Sequence, residues 1–138
     1  MKIFVIHAKK FQDRKKHIDR MLGTLGLDAE YVCEGDVEEL TSEVLNRYFN
    51  DNMIREGVRM SAPTRYSSCT LKHLLVCEKM MEEKLDGALV LEDDMVLDKK
   101  FCEIFSLAFR STNVITGKRT YSFPARTHDF ALCHAQNV

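Results

Sequence analysis

The stretch that most constrains this chain is "DGALVLEDDMVL", residues 86 to 97, in which an apolar run ends in three consecutive acids, Glu92, Asp93 and Asp94. A compact apolar run bounded by turn residues reads as a buried strand. Like charges at neighbouring positions repel, and burying one without a partner costs several kcal/mol. A positive group is therefore expected at the end of this strand. A second run of the same kind, "KIFVI" at residues 2 to 6, opens the chain and also reads as a buried strand.

Helical periods separate the strands. Phe11, Ile18, Met21, Leu22 and Leu25 fall on one stripe at 100° per residue, which predicts a helix over 11–25 stopped at Gly26. "DAEYVC" (28–33) is a short second strand. Asp36, with Glu39 three positions later, has the pattern of a capping box and predicts a helix to about Phe49. Residues 50 to 66 lack a period and read as a loop. A stronger helix is expected from Ser68 to about Lys84, with Cys69, His73, Val76, Cys77, Met80 and Met81 inward and Lys72, Glu78, Lys79 and Glu82 on the other side. "KKFCEIFSLAFR" (99–110) reads as an amphipathic helix. The order gives an α/β fold with a mostly parallel sheet flanked by helices. From 111 to 138 the pattern is irregular, with one strand expected near 113–116.

At 138 residues, 45% hydrophobic and 30% charged, the composition is that of one globular domain. A net charge of −1 argues against whole-domain attraction to nucleic acid. Charge is uneven, since residues 9 to 20 hold six basic and two acidic residues. That run suits either contact with anionic lipid or a solvated helix face, and the second is the simpler reading. Five cysteines, odd in number and never in a C-x-x-C pair, fit reduced thiols. The apolar opening is too short for a signal-peptide core, and no stretch reaches transmembrane length. The expected location is the cytoplasm, with peripheral contact at the inner membrane face as an extension.

In open α/β sheets, ligands sit beyond the carboxyl ends of the strands. If extended geometry persists, Glu92 and Asp94 point to one side and Asp93 to the other. Converging carboxylates suit a hard divalent cation, Mg²⁺ or Mn²⁺, shared with substrate phosphates. An exposed acidic turn, or a cap before Lys99 and Lys100, would have the same spacing. A haloacid-dehalogenase-type phosphatase needs an aspartate where Glu92 stands. A receiver domain needs acids after the first strand, where His7, Ala8 and Lys9 stand.

A third pattern fits more of the chain. Asp13-Arg14 after the first strand, Cys69 and His73 at a helix start, and Leu91-Glu92-Asp93-Asp94 after an apolar strand together resemble glycosyltransferase family 25, over roughly residues 2 to 105. This family is the lipopolysaccharide-biosynthesis galactosyltransferase type, with relatives that glycosylate collagen. The resemblance implies a GT-A-like (Rossmann-like) nucleotide-sugar domain, with 1–110 as its donor-binding part. It implies a metal held by Asp94 and Glu92 against the diphosphate of UDP-galactose or a similar donor. Asp13, Arg14, His73, Glu92 and Asp93 would line the donor side, with His73 orienting the acidic motif or the donor. The family is an inverting one, so a hydroxyl of a lipopolysaccharide, lipooligosaccharide or other glycan acceptor would attack the anomeric carbon, aided by a base.

The chain departs from the family in places. Ile6-His7-Ala8 stands for the usual Ile-Asn-Leu, Ser68 for a glycine and Lys72 for a serine. Family members continue into a second half that completes the acceptor side, and 111–138 does not resemble it, so the chain reads as a truncated form whose base lies elsewhere. The alternative is a non-catalytic module that binds nucleotide or docks on a partner, with an exposed sheet edge inviting a homodimer.

Overall fold

The structure, a computed structural model, describes residues 2–50, 52–55, 57–96, 100 and 130–134. Strand β1 (Lys2–Ile6) is followed by α1 (Gln12–Leu25), β2 (Glu30–Val32), a 3₁₀ turn (Val37–Glu39) and α2 (Ser42–Tyr48). A small antiparallel hairpin, β3 (Ile54–Arg55) and β4 (Val58–Arg59), precedes α3 (Arg65–Glu82), β5 (Gly87–Glu92) and β6 (Phe130–His134). The main sheet runs in the order β2-β1-β5-β6. β1 pairs in parallel with β2 and β5, whereas β6 runs antiparallel to β5. This is the expected α/β fold with a mostly parallel sheet.

Both faces of the sheet are covered, which is why the buried stretches of its central strands, 3–6 and 88–91, are apolar throughout. Side chains alternate with period two. Ile3, Val5, Leu89 and Leu91 face α1 and meet Ile18 and Leu22. Phe4, Ile6, Ala88 and Val90 face α3 and meet Val76 and Met80. A third cluster, Leu40, Leu45, Phe49, Met60 and Leu71, fills the space between α2 and the first half of α3.

Several local expectations change. The Asp36–Glu39 capping box forms, but it closes only the 3₁₀ turn. Leu40 then leaves the helical region, and Thr41 caps α2 afresh, its side chain accepting from Val44 N. Leu40 is buried in the third cluster beside Leu45. Helix α3 starts three residues earlier than its apolar period suggests, because Thr64 and Ser67 form a reciprocal capping box just after Pro63. The expected loop at 50–66 contains the β3–β4 hairpin. Met81, expected in the core, is 64% exposed. Within the segment read as irregular, residues 130–134 form β6. The expected helix at 99–110, apart from Lys100, and the strand near 113–116 lie outside the described residues.

Candidate functional site

The parallel register pairs Ile6 with Glu92, so the next residues, His7 and Asp93, leave the sheet side by side. By the same alternation, Glu92 points to the α3 face and Asp93 to the α1 face. Glu92 therefore parts company with Asp93.

Asp93 is buried. Its Oδ2 accepts from His7 Nδ1 at 2.7 Å and from the Ala8 backbone N–H at 3.3 Å, and its Oδ1 accepts from Arg14 Nη1 at 3.2 Å. An ionised carboxylate only accepts, so His7 carries its proton on Nδ1. The other ring nitrogen, Nε2, is buried with no hydrogen-bond partner among the described residues. The ring meets Tyr31 edge-on, with centroids 6.0 Å apart.

Asp94 is half-exposed, and its Oδ2 accepts from the same Arg14 Nη1 at 3.0 Å. The strand stops at Glu92, and the Met95 N–H returns to Glu92 O at 3.2 Å. That turn carries Asp94 round to the α1 side. Extended geometry would have put Glu92 and Asp94 together with Asp93 opposed; the contacts instead group Asp93 with Asp94 around Arg14. The guanidinium comes from the first turn of α1 and stacks on Phe11, with Cζ 4.5 Å from the ring centroid. It is the positive group expected at the end of this strand, and it serves Asp93 and Asp94.

Glu92 meets α3. Cys69 Sγ donates to Glu92 Oε1 at 3.6 Å, and His73 Nε2 lies 3.5 Å from the same oxygen. His73 thus reaches the acidic motif through Glu92. Asp13, expected on the donor side, has a fully exposed side chain with Lys16 3.5 Å away, apart from the cluster of Asp93, Asp94 and Arg14.

Beneath the acids lies a buried charge pair. Lys72 sits 2% exposed, with Nζ 2.9 Å from Asp36 Oδ1, 2.9 Å from His7 O and 3.0 Å from Cys33 O. Asp36 Oδ2 accepts from Lys9 N at 3.0 Å. One ammonium thereby ties the loops after β1 and β2 to α3. Burial pushes the nearby Cys33 thiol up from its ordinary value. Burial likewise raises Tyr31, with its hydrogen bond to Asp19 adding to the effect. Lys15, and then the Tyr31 hydroxyl, hold Asp19 low.

A family model, Glycosyltransferase family 25 (LPS biosynthesis protein), matches residues 1–134. The chain belongs to glycosyltransferase family 25. A "Glycosyltransferase 25 family member" of Drosophila melanogaster is 25% identical over 111 residues, an alignment that takes in 72% of this chain and 17% of the relative. This family 25 chain thus spans about a sixth of the length of that curated relative.

The sequence pointed to no site role for His7, which stood as a departure from the family and from the receiver pattern, nor for Asp36, a cap, Cys69, a motif residue expected to pack inward, or Lys72, expected to face solvent. For Lys72 a signal was present: Lys72, Val76 and Met80 lie four apart, on one stripe of α3 that is buried throughout. The basic run at 9–20 is largely paired, Lys9 with Glu39, Lys10 with Glu38, Lys15 with Asp19 and Lys16 with Asp13, as a solvated face would be. Among the described residues no helix is long and apolar enough to cross a membrane.

Proposed function

We propose that this family 25 chain carries the donor side of a sugar-transfer site, binding UDP-galactose or a similar nucleotide sugar, with a lipopolysaccharide or other glycan as acceptor. The observation that supports this most strongly is Arg14, which spans from α1 to both Asp93 and Asp94 at the end of a central strand. His7 and Ala8 hold Asp93, and Asp93 in turn orients Arg14. The guanidinium stays about half-exposed and has further N–H groups to offer a phosphate. Asp13, exposed in the same turn, and His73, which steadies Glu92, complete the donor-side set.

A hard cation, Mn²⁺ or Mg²⁺, is compatible with Asp94. Its Oδ2 is engaged by Arg14, while its Oδ1 has no hydrogen-bond partner among the described residues. Such ions commonly take one or two carboxylates from the protein and the rest from phosphate and water. Glu92, the other expected ligand, is engaged by Cys69 and His73, so the reading rests on Asp94. When bound, the ion would supply positive charge for the leaving nucleoside diphosphate. In the proposed inverting reaction, an acceptor hydroxyl attacks the anomeric carbon, aided by a base.

Calorimetric titration of UDP with and without Mn²⁺ tests the reading. Binding is expected only with Mn²⁺, lost in Asp94→Ala and weakened in Arg14→Ala. A wild-type chain that takes up no UDP in the presence of Mn²⁺ refutes it. Transfer or hydrolysis of UDP-galactose then separates a transferase from a binding module.

A further inference from the structure

On the α3 face of the sheet, away from the Arg14 carboxylates, three different ligand types converge. Cys69 and His73 are four residues apart on α3, so their side chains project from the same face one turn apart. Glu92 ends β5 opposite them. The Cys69 Sγ, a His73 ring nitrogen and a Glu92 oxygen all lie within 4.8 Å of one another, and all three residues are half-buried. The carboxylate oxygen is 3.6 Å from the sulfur and 3.5 Å from Nε2.

We infer that Cys69, His73 and Glu92 form a binding site for a zinc-type divalent cation. With ligand bonds of about 2.0–2.3 Å at tetrahedral angles, neighbouring ligand atoms stand about 3.3–3.8 Å apart. Both measured separations from Glu92 lie in that range. The chemistry of the set also selects the ion. A thiolate and an imidazole favour Zn²⁺ over Mg²⁺ or Mn²⁺, which prefer oxygen throughout. Binding replaces the hydrogen bond between the Cys69 thiol and Glu92: the thiol proton is released to solvent, and thiolate, imidazole and carboxylate each donate a lone pair to the metal. Two anionic ligands neutralise the dication. Three protein ligands leave a fourth position for water or an incoming oxygen, as in zinc sites that keep an open coordination position. The site shares His73 and Glu92 with the donor-side set but uses neither Arg14 nor Asp94, so Zn²⁺ uptake and Mn²⁺-dependent UDP binding can fail separately.

The test uses the reduced, chelator-treated 138-residue chain with Zn²⁺ or Co²⁺ alone as the probe. One equivalent of Zn²⁺ is expected, and Co²⁺ should give a thiolate charge-transfer band in the near ultraviolet with visible bands of tetrahedral intensity. Cys69→Ser and His73→Gln should each lose the band and the stoichiometric uptake, with circular dichroism confirming that both variants fold. Asp94→Asn, Cys33→Ser and Cys77→Ser should keep both, and excess Mn²⁺ should not displace the metal. The inference is overturned if the wild-type chain binds no Zn²⁺ at micromolar concentrations. It is equally overturned if uptake survives Cys69→Ser, since the thiol would then be no ligand.

Discussion

Replacing Lys72 with methionine removes the ammonium beneath the acidic motif and keeps most of the aliphatic stem. The Lys72 side chain is 3% exposed and that of Asp36 is 11% exposed, so almost no water can take over the lost contacts. Removing one partner of a buried ion pair costs about 3–5 kcal/mol, because the other charge remains desolvated. Asp36 keeps hydrogen bonds from Lys9 N and from the 3₁₀ turn, which moves the expectation toward the lower end. His7 O and Cys33 O lose a donor as well, which offsets part of that relief. A loss of about 3 kcal/mol is a fifth or more of the roughly 5–15 kcal/mol that holds a typical domain together. Urea unfolding followed by circular dichroism should give a lower midpoint with an unchanged slope. Adding Asp36→Asn should then cost far less than it does alone, since the stranded charge is gone. A loss below about 1 kcal/mol for Lys72→Met, or strict additivity in the double variant, would refute the claim that this pair ties the loops together.

Gly35 has φ of +84°, and a Cβ there would stand 2.9 Å from Leu71 Cδ2. Gly35→Ala is therefore expected to destabilise by about 1–3 kcal/mol, read from the same urea titration. At the opposite end of the sheet, hydrogen bonds from Lys2 and then Lys79 hold Glu30 below its ordinary value of 4.5. A depressed carboxylate contributes stability that is present above its unfolded value and is lost as pH falls through the folded one. The midpoint of thermal unfolding should therefore separate wild type from Glu30→Gln at neutral pH, and the gap should narrow below about pH 4.5. High salt should also shrink it, because the side chain is about one-third exposed to solvent (34%). A gap that stays constant from pH 7 to pH 3 would contradict the assignment.

Much of the α/β layering was legible in the amino-acid order. The apolar runs at 2–6 and 88–91 and the helical stripe at 11–25 state their own period, because backbone geometry repeats locally. The Asp13-Arg14, Cys69-His73 and Leu91-to-Asp94 motifs pointed to the family in the same local way. Their mutual arrangement was harder to read. Taken alone, the three acids implied a cation of some kind but not which side chain would supply it. Lys72 looked solvent-facing because charge outweighed its place on the stripe with Val76 and Met80. Cys69 looked like packing because its partner Glu92 lies 23 residues away.

What the sequence determined by itself is β1, α1, β2, α3 and β5, their order and the burial of the central strands, all of which follow from spacings of two to four residues. Only the tertiary structure decided how the three acids are used. The pairing of Ile6 with Glu92 sets His7 beside Asp93, and the turn after β5 swings Asp94 to Arg14 while Glu92 remains with Cys69 and His73. Those partners come from residues far apart along the chain, such as the 86 positions between His7 and Asp93. Strand register and helix placement bring them together, and neither is encoded in any one local pattern.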